Sequence, residues 1–145
     1  QDVLGAMQMD AAGGQGKVTV AFPKAGHLYD VRQGKYLGKG DRADVHVDTF
    51  DAPLFAVMKT KAKALSLKFD GKKATAKLSV TGGKPGERVF RFDLVTKGGK
   101  RVVDGGANVV TRTGRATWTP DAKLPKNGRL LCRDVATGVG AEVAV

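Results

Sequence analysis

GHLYDVRQGKYLGKGDRADVHVDTFDAPLFAVMK, residues 26–59, is the stretch that decides the fold class. Short runs of alternating apolar and polar residues are separated by turns that contain glycine, proline or aspartate, which is the pattern of antiparallel β-strands. Within residues 42–49, for example, Ala43, Val45 and Val47 would face one side of a sheet. The stretch ends in a run of lysines. It predicts the closing strands of a small β-domain whose beginning lies upstream of this sequence.

The lysine-rich segment KTKAK, residues 59–63, predicts a joint between two units, because no apolar periodicity crosses it. After the joint, Leu65, Leu67 and Phe69 alternate, and an Asp-Gly pair at residues 70–71 supplies a hairpin turn. Roughly seven short strands follow, with turn signals about every 8–12 residues, a spacing typical of an immunoglobulin-like (Ig-like) sandwich. We therefore predict an all-β chain, with a small β-domain at residues 1–58 and an Ig-like antiparallel β-sandwich at residues 64–145.

Net charge is the second informative feature. The 145 residues include 25 Lys and Arg against 14 Asp and Glu, a formal net charge of +11. Such a chain attracts polyanions, but its basic residues occur in every segment, and scattered charge is also what a solvated surface requires. The densest basic run is a candidate site for phosphates or other anions, bound without sequence preference, and it consists of Lys59, Lys61, Lys63, Lys68, Lys72, Lys73 and Lys77.

Three aromatic side chains are candidates for carbohydrate binding, in which an exposed ring supports the apolar face of a sugar: Tyr29, Tyr36 and Trp118. Trp118 shares a strand face with Ala116, which favours a position in the core of the sandwich. Tyr36 flanks a glycine turn, which favours exposure. A sugar platform and a purely structural role both stay open for these residues.

The residue types that carry catalysis are scarce. A glycosidase needs two carboxylates about 5–9.5 Å apart, but the only glutamates are Glu87, in a Pro-Gly loop, and Glu142, in the last strand. Asp44, His46 and Asp48 alternate on one strand and would share a solvated face, although such a face could also approach a cation. We predict no catalytic residue, no metal site and no cofactor.

Cys132 is the only cysteine, so no disulfide can form within the chain, and its apolar neighbours predict a small buried residue rather than a nucleophile. No apolar run approaches the ~20 residues that a membrane-spanning helix needs. The first residues contain no basic region and no signal-peptide core, so we expect an exported protein to carry its signal upstream.

Two parts of the sequence are similar to a known family. LYDVRQGKYLG at residues 28–38, followed by LFAV at residues 54–57, resembles the end of the β-domain behind the catalytic barrel in large beta-galactosidase-like glycoside hydrolases. FDL at residues 92–94, Trp118 and CRDVATG at residues 132–138 resemble the Ig-like sandwich appended to such enzymes. The barrel and its catalytic glutamates have no counterpart in this sequence, so the resemblance does not imply their activity.

The resemblance implies the C-terminal part of a larger carbohydrate-processing protein that is secreted or periplasmic. We expect a non-catalytic accessory module that braces the catalytic domain or mediates assembly, and that contacts polysaccharide. Its partners would be the upstream catalytic domain or other subunits. The alternative prediction is a stand-alone basic protein that binds nucleic acid or an acidic polysaccharide, for which binding would weaken steeply with salt.

Overall fold

The structure, a computed structural model, describes residues 16–47 and 53–145. These ranges contain strands, turns and loops, and no helix long and apolar enough to cross a membrane. The all-β prediction is confirmed. Predictions that concern residues 1–15, Asp48, Thr49 and the turn at 51–52 lie outside the described residues. The ten strands of the described ranges are β1 (Gly16–Asp30), β2 (Lys35–Val47), β3 (Phe55–Met58), β4 (Lys61–Phe69), β5 (Ala74–Thr81), β6 (Arg88–Val95), β7 (Arg101–Thr111), β8 (Arg115–Trp118), β9 (Arg129–Asp134) and β10 (Gly140–Ala144).

The first unit is an antiparallel sheet in which β1 lies between β2 and β3. Its side chains follow the predicted alternation. Val20, Ala43 and Val45 are buried on one face, while Asp44 and His46 are exposed on the other. The local pattern of the sequence therefore orients these residues correctly.

β1 continues through the segment PKAG, residues 23–26, where the sequence predicts a turn between two strands. The pairing of β1 with β2 instead shifts register between Ala21 and Gly26, as a β-bulge does. A bulge bends a strand, and here Phe22 reaches Phe55, with the ring centroids 5.6 Å apart in an edge-to-face arrangement. The two rings share the core of this unit with Val20, Leu28, Ala43 and Val45.

The link between the two units is shorter than the predicted joint at residues 59–63. Only Lys59 and Thr60 lie between strands, and β4 already begins at Lys61, where its pairing with β5 starts. Ala62 is buried in the core of the second unit, so this lysine-rich stretch is a strand rather than a linker.

The second unit is an antiparallel β-sandwich with an Ig-like arrangement of strands. One sheet has the order β4-β5-β8 and the other β10-β9-β6-β7, so this unit contains the seven predicted strands. Its core is built on β6, whose Phe90, Phe92 and Leu94 are fully buried, as the alternation predicts. Trp118 packs on this core, with its ring centroid 5.5 Å from that of Phe92.

Candidate functional site

The two units meet where two hairpin turns lie against each other. The β1–β2 turn contains Gly34 and the β9–β10 turn contains Gly138, with φ values of +62° and +74°. A Cβ atom added at Gly138 would lie 2.4 Å from the Cα atom of Gly34. Glycine is therefore required for the two backbones to approach this closely. The contact holds the first unit against the sandwich.

Both turns have the same sequence pattern, Asp-Val-x-x-Gly, at residues 30–34 and 134–138. In each turn the aspartate carboxylate accepts a hydrogen bond from the third residue after it. The donor is the amide of Gln33 (2.9 Å) in one turn and the hydroxyl of Thr137 (2.6 Å) in the other. The repeat is visible in the sequence, but it is short, and the strand patterning of the two halves does not indicate it.

A buried ion pair lies beside the second turn. Arg88 Nη1 lies 3.2 Å from Asp134 Oδ2, and the two side chains are 1% and 0% exposed. Arg88 Nε donates to the carbonyl oxygen of Pro85, and the Thr137 hydroxyl donates to the same Asp134 oxygen. Burial raises the pKa of Asp134 and lowers the pKa of Arg88, and each charge partly offsets the shift of the other. The pair thus joins the start of β6 to the end of β9, where the turn begins.

The first carbohydrate candidate, Tyr29, lies at the same junction. It is only 2% exposed, and its hydroxyl accepts a 3.0 Å hydrogen bond from the amide nitrogen of Ala62 in β4. Burial raises the pKa of this hydroxyl. The predicted sugar contact at Tyr29 is not supported, because the ring has no free face and instead joins the two units.

Tyr36 is half-buried beside Tyr29, with the ring centroids 5.1 Å apart. Lys61 Nζ lies 4.3 Å from the centroid of the Tyr36 ring, a cation–π arrangement. The Tyr36 hydroxyl lies 2.9 Å from His27 Nδ1. Burial, with the positive charges of Lys39 and Lys61, lowers the pKa of His27, so its imidazole favours the neutral form. A lysine therefore covers one face of the Tyr36 ring.

Trp118, the third carbohydrate candidate, lies at the opposite end of the β4-β5-β8 sheet. It pairs with Ala74, the first residue of β5, whereas Lys61 beside Tyr36 pairs with Thr81, the last residue of β5. Tyr29 and Tyr36 are therefore neighbours, whereas Trp118 lies apart from both.

The seven predicted polyanion-binding lysines are all exposed. Within residues 16–47 and 53–145, none of them forms a salt bridge. They do not form a single cluster. Lys59 lies in the link between the units, and Lys72 and Lys73 lie in the β4–β5 turn. The other four are on strands: Lys61, Lys63 and Lys68 on β4, and Lys77 on β5.

The outer face of the β4-β5-β8 sheet is a basic surface that the sequence indicates only in part. Arg115 of β8 lies directly beside Lys77 of β5, and Lys68 lies in the next row of side chains. The three strands contain no aspartate or glutamate, and apart from lysine and arginine their exposed residues are serine, threonine and alanine. We call Lys68, Lys77 and Arg115 the basic face. Arg115 joins it only through the pairing of β8 with β5.

A second charged surface lies on the outer face of the other sheet. Arg91 of β6 and Arg133 of β9 face each other directly across the strand pair. They border a shallow groove of about 380 Å³. We call it the arginine groove, and its side chains include Arg91, Asp93, Arg101, Leu131, Arg133 and Glu142.

Arg91 is held in a fixed position in this groove. Its Nε and Nη2 both donate to Asp93 Oδ1, at 2.9 and 2.8 Å, which raises the pKa of Arg91. Arg101 Nη2 lies 3.6 Å from Asp93 Oδ2. Gly106 of β7 leaves space for the pair, since a Cβ atom there would lie 2.5 Å from Arg91 Nη2. Arg133 is exposed and has no salt bridge to any residue that the structure describes.

The residues considered for catalysis are buried or already paired. Burial raises the pKa of Cys132 to about 12, so the thiol stays protonated and is a poor nucleophile. Glu87 Oε2 lies 3.5 Å from Arg112 Nε, and Glu142 Oε1 lies 3.0 Å from Arg129 Nη1. Neither glutamate is an isolated acid.

The face of Asp44 and His46 is solvated, as the alternation predicts. Asp44 accepts a 2.7 Å hydrogen bond from Thr19 and lies 3.2 Å from Lys17 Nζ, and both contacts lower its pKa. Among the described residues, no group of three or more His, Cys, Asp or Glu side chains is placed to hold a metal ion. Asp48, the third member of the predicted set, lies outside these residues.

Comparison of this chain with protein families, with curated proteins and with solved structures finds no match. The junction and the two charged surfaces therefore carry the functional argument. Sequence patterns indicate the lysines of the basic face, but they miss the arginine groove. Its arginines are far apart in the chain, and strand pairing alone makes Arg91 and Arg133 neighbours.

Proposed function

We propose that this chain is a non-catalytic accessory β-module of a larger, exported carbohydrate-processing protein, in which it braces the catalytic domain or mediates assembly. The observation that carries the proposal is the junction between the two units. Gly34 and Gly138 pack turn against turn, and Tyr29 accepts a hydrogen bond from Ala62 across the junction. A module that orients a neighbouring domain needs such a fixed relation between its parts, because a flexible linker would not transmit a position.

The pairing of several carboxylates with arginines supports a non-catalytic role. Glycoside hydrolysis needs one carboxyl group that donates a proton and a second carboxylate across the scissile bond. In this chain Glu87, Glu142 and Asp93 each lie against an arginine, and Asp134 is buried with Arg88. These acids serve as partners of basic residues.

The resemblance to beta-galactosidase-like hydrolases supplies the carbohydrate context of the proposal. Two of the stretches that carry it, residues 28–38 and 132–138, contain the two turns of the junction. The part of the sequence that resembles the hydrolases is thus also the part that would set the geometry of a brace.

The proposal is tested on the native polypeptide, purified from its source with an antibody raised against this chain. We expect a polypeptide much longer than 145 residues that hydrolyses glycosidic bonds. The control is the same purification with antibody that has been absorbed with the chain. A native polypeptide of about this length, without hydrolase activity, would contradict the proposal.

A second candidate function, the binding of a polyanion by a stand-alone protein, is favoured by the basic face. Its strands contain no acidic residue that would repel phosphate or carboxylate groups. Replacement of Lys68 and Lys77 by glutamine should weaken binding of an oligonucleotide. It should also reduce the number of counterions released on binding by about two, so that the affinity falls less steeply with salt concentration. The matched control is Lys97→Gln, in the turn before β7. Equal losses in both variants would indicate diffuse attraction and reject a site on this face.

A further inference from the structure

We infer that the arginine groove binds the carboxylate group of an acidic sugar unit, a uronate within a polysaccharide. The inference rests on the proposed carbohydrate function and deepens it, because it names the class of ligand and the surface that would receive it.

The first argument is the repulsion built into the groove. Arg91 and Arg133 are directly opposite each other on β6 and β9. Like charges in this position destabilise a sheet. Asp93 compensates Arg91, because its two oxygens face Arg91 and Arg101, but it forms no ion pair with Arg133. An anion bound at Arg133 would supply the compensating charge that Arg133 lacks.

The second argument is the unused donor capacity of Arg133. A guanidinium has five N–H donors in a planar fork that matches the two oxygens of a carboxylate. Arg133 has no salt bridge to any described residue, and Arg91 beside it is held in place by Asp93. One free and one fixed arginine therefore form a site that is partly organised before the ligand arrives.

The balance of charges in the groove also favours an anionic ligand. Glu142 at the edge of the groove accepts two hydrogen bonds from Arg129, at 3.0 and 3.1 Å. Among the described residues, Asp93 and Glu142 are the two acids of the groove, against the three arginines that line it and Arg129 beside it. Positive charge therefore remains, and it lies around Arg133.

The lining favours a sugar over a nucleic acid. The groove volume of about 380 Å³ lies in the ordinary range of small-molecule sites. Leu131 supplies an apolar floor, and the Glu142 oxygens can accept hydrogen bonds from hydroxyl groups. Among residues 16–47 and 53–145, no aromatic side chain lines the groove, so a base has no surface on which to stack.

The test is titration of the intact chain with an oligogalacturonate, followed by calorimetry and by amide chemical shifts. The second ligand is the same oligomer with its carboxylates methyl-esterified, and the third is a single-stranded oligonucleotide. We expect the carboxylate form to bind at least about tenfold more tightly than the ester, since charge-assisted hydrogen bonds are lost with the charge. Shifts should centre on β6 and β9.

Two substitutions of the same exposed residue separate a fitted site from diffuse attraction. Arg133→Gln removes the charge, and Arg133→Lys keeps it but removes the fork. Both should weaken oligogalacturonate binding about tenfold, whereas Lys77→Gln on the opposite sheet should change it less than about twofold. Full affinity in Arg133→Lys, equal losses in Lys77→Gln, or equal binding of the ester would each overturn the inference.

The outcome is independent of the test of the proposed function. Absence of oligogalacturonate binding overturns the inference even if the native polypeptide proves to be a large hydrolase. The native polypeptide could instead be short and without hydrolase activity, yet bind uronate through Arg133. That result would reject the accessory role and support the groove site. Tighter binding of the oligonucleotide than of the oligogalacturonate to the groove would replace the sugar by nucleic acid and overturn the inference.

Discussion

The guanidinium of Arg88, on β6, lies 3.2 Å from the carboxylate of Asp134, at the end of β9, and neither side chain is accessible to solvent. Asp134 begins the turn whose Gly138 packs on Gly34 of the first unit. Tyr29, which bridges the two units, is close enough for both charges to shift the pKa of its hydroxyl. This ion pair thus connects the core of the sandwich to the junction.

Removal of one member of the pair should be strongly destabilising. In Arg88→Met the Asp134 carboxylate would be left buried without its cation, and we expect the free energy of unfolding to fall by about 3–5 kcal/mol. Urea denaturation measures the change. The control is Arg129→Gln, which breaks the exposed pair with Glu142 and should cost less than about 1 kcal/mol. Similar losses in the two variants would contradict a special role for the buried pair.

The Arg88→Met variant should also show a stronger pH dependence of stability. Burial raises the pKa of Asp134, and Arg88 opposes that shift. Without Arg88 the pKa of Asp134 in the folded protein would rise further above its value in the unfolded chain. Stability from this group is then fully present below the unfolded pKa and is lost as pH rises through the folded pKa. Between about pH 4 and pH 8 the free energy of unfolding should decline more steeply with rising pH in the variant than in the unmodified chain. Equal profiles would reject this account.

The approach of the two turns predicts a difference between two glycines. Gly138→Ala should cost more than Gly71→Ala, although both residues have positive φ, at +74° and +92°. Each substitution carries about 1–2 kcal/mol of backbone strain. At Gly138 the new methyl group also meets Gly34, whereas no atom lies within 4 Å of the position at Gly71. The extra loss should be about 1–3 kcal/mol by urea denaturation, and equal losses would show that the turns do not press together.

Tyr29→Phe tests the hydrogen bond that joins the units. It removes the acceptor of the buried Ala62 amide, which should cost about 1–3 kcal/mol because the N–H group is left without a partner. Tyr36→Phe is the control, since it removes only the half-buried contact with His27 and should cost about 0.5–1.5 kcal/mol. Thermal unfolding of the two variants ranks the effects. A smaller loss in Tyr29→Phe than in Tyr36→Phe would mean that the Ala62 amide finds another acceptor.

Cys132 should not react with thiol reagents while the chain is folded. Its pKa is about 12 because the thiol is buried, and the negative charge of Asp134 adds to the shift. At about pH 8 we expect one reactive thiol per chain only after denaturation, since the thiolate is the reacting form. The reaction is followed with a chromogenic disulfide. Fast labelling under native conditions would show that the β9 strand opens readily.

Local patterns predicted the orientation of side chains within each strand. The alternation of Phe90, Phe92 and Leu94 placed them in the core, and that of Ala43 and Val45 identified the buried face of β2. The same local pattern was wrong at residues 23–26, where the chain continues through a bulge. Proline and glycine mark an interruption of regular pairing, but only the neighbouring strand decides between a turn and a bulge.

The candidate site was less predictable than the fold. Lysines close together in the sequence were identified, yet Lys59 and Lys61 lie at the junction rather than with Lys68 and Lys77. Tyr29 was expected to offer a sugar platform, and its burial follows from the docking of the two units, which the sequence pattern does not describe.

The sequence by itself determined the all-β class, the net charge of +11 and the side of each strand on which apolar residues lie. These properties depend on composition and on the two-residue period of a strand, which acts between near neighbours. The tertiary structure alone decided that Arg91 faces Arg133, that Arg88 is buried with Asp134 and that Gly34 meets Gly138. Such neighbours are set by strand order and register, which depend on the packing of the whole core.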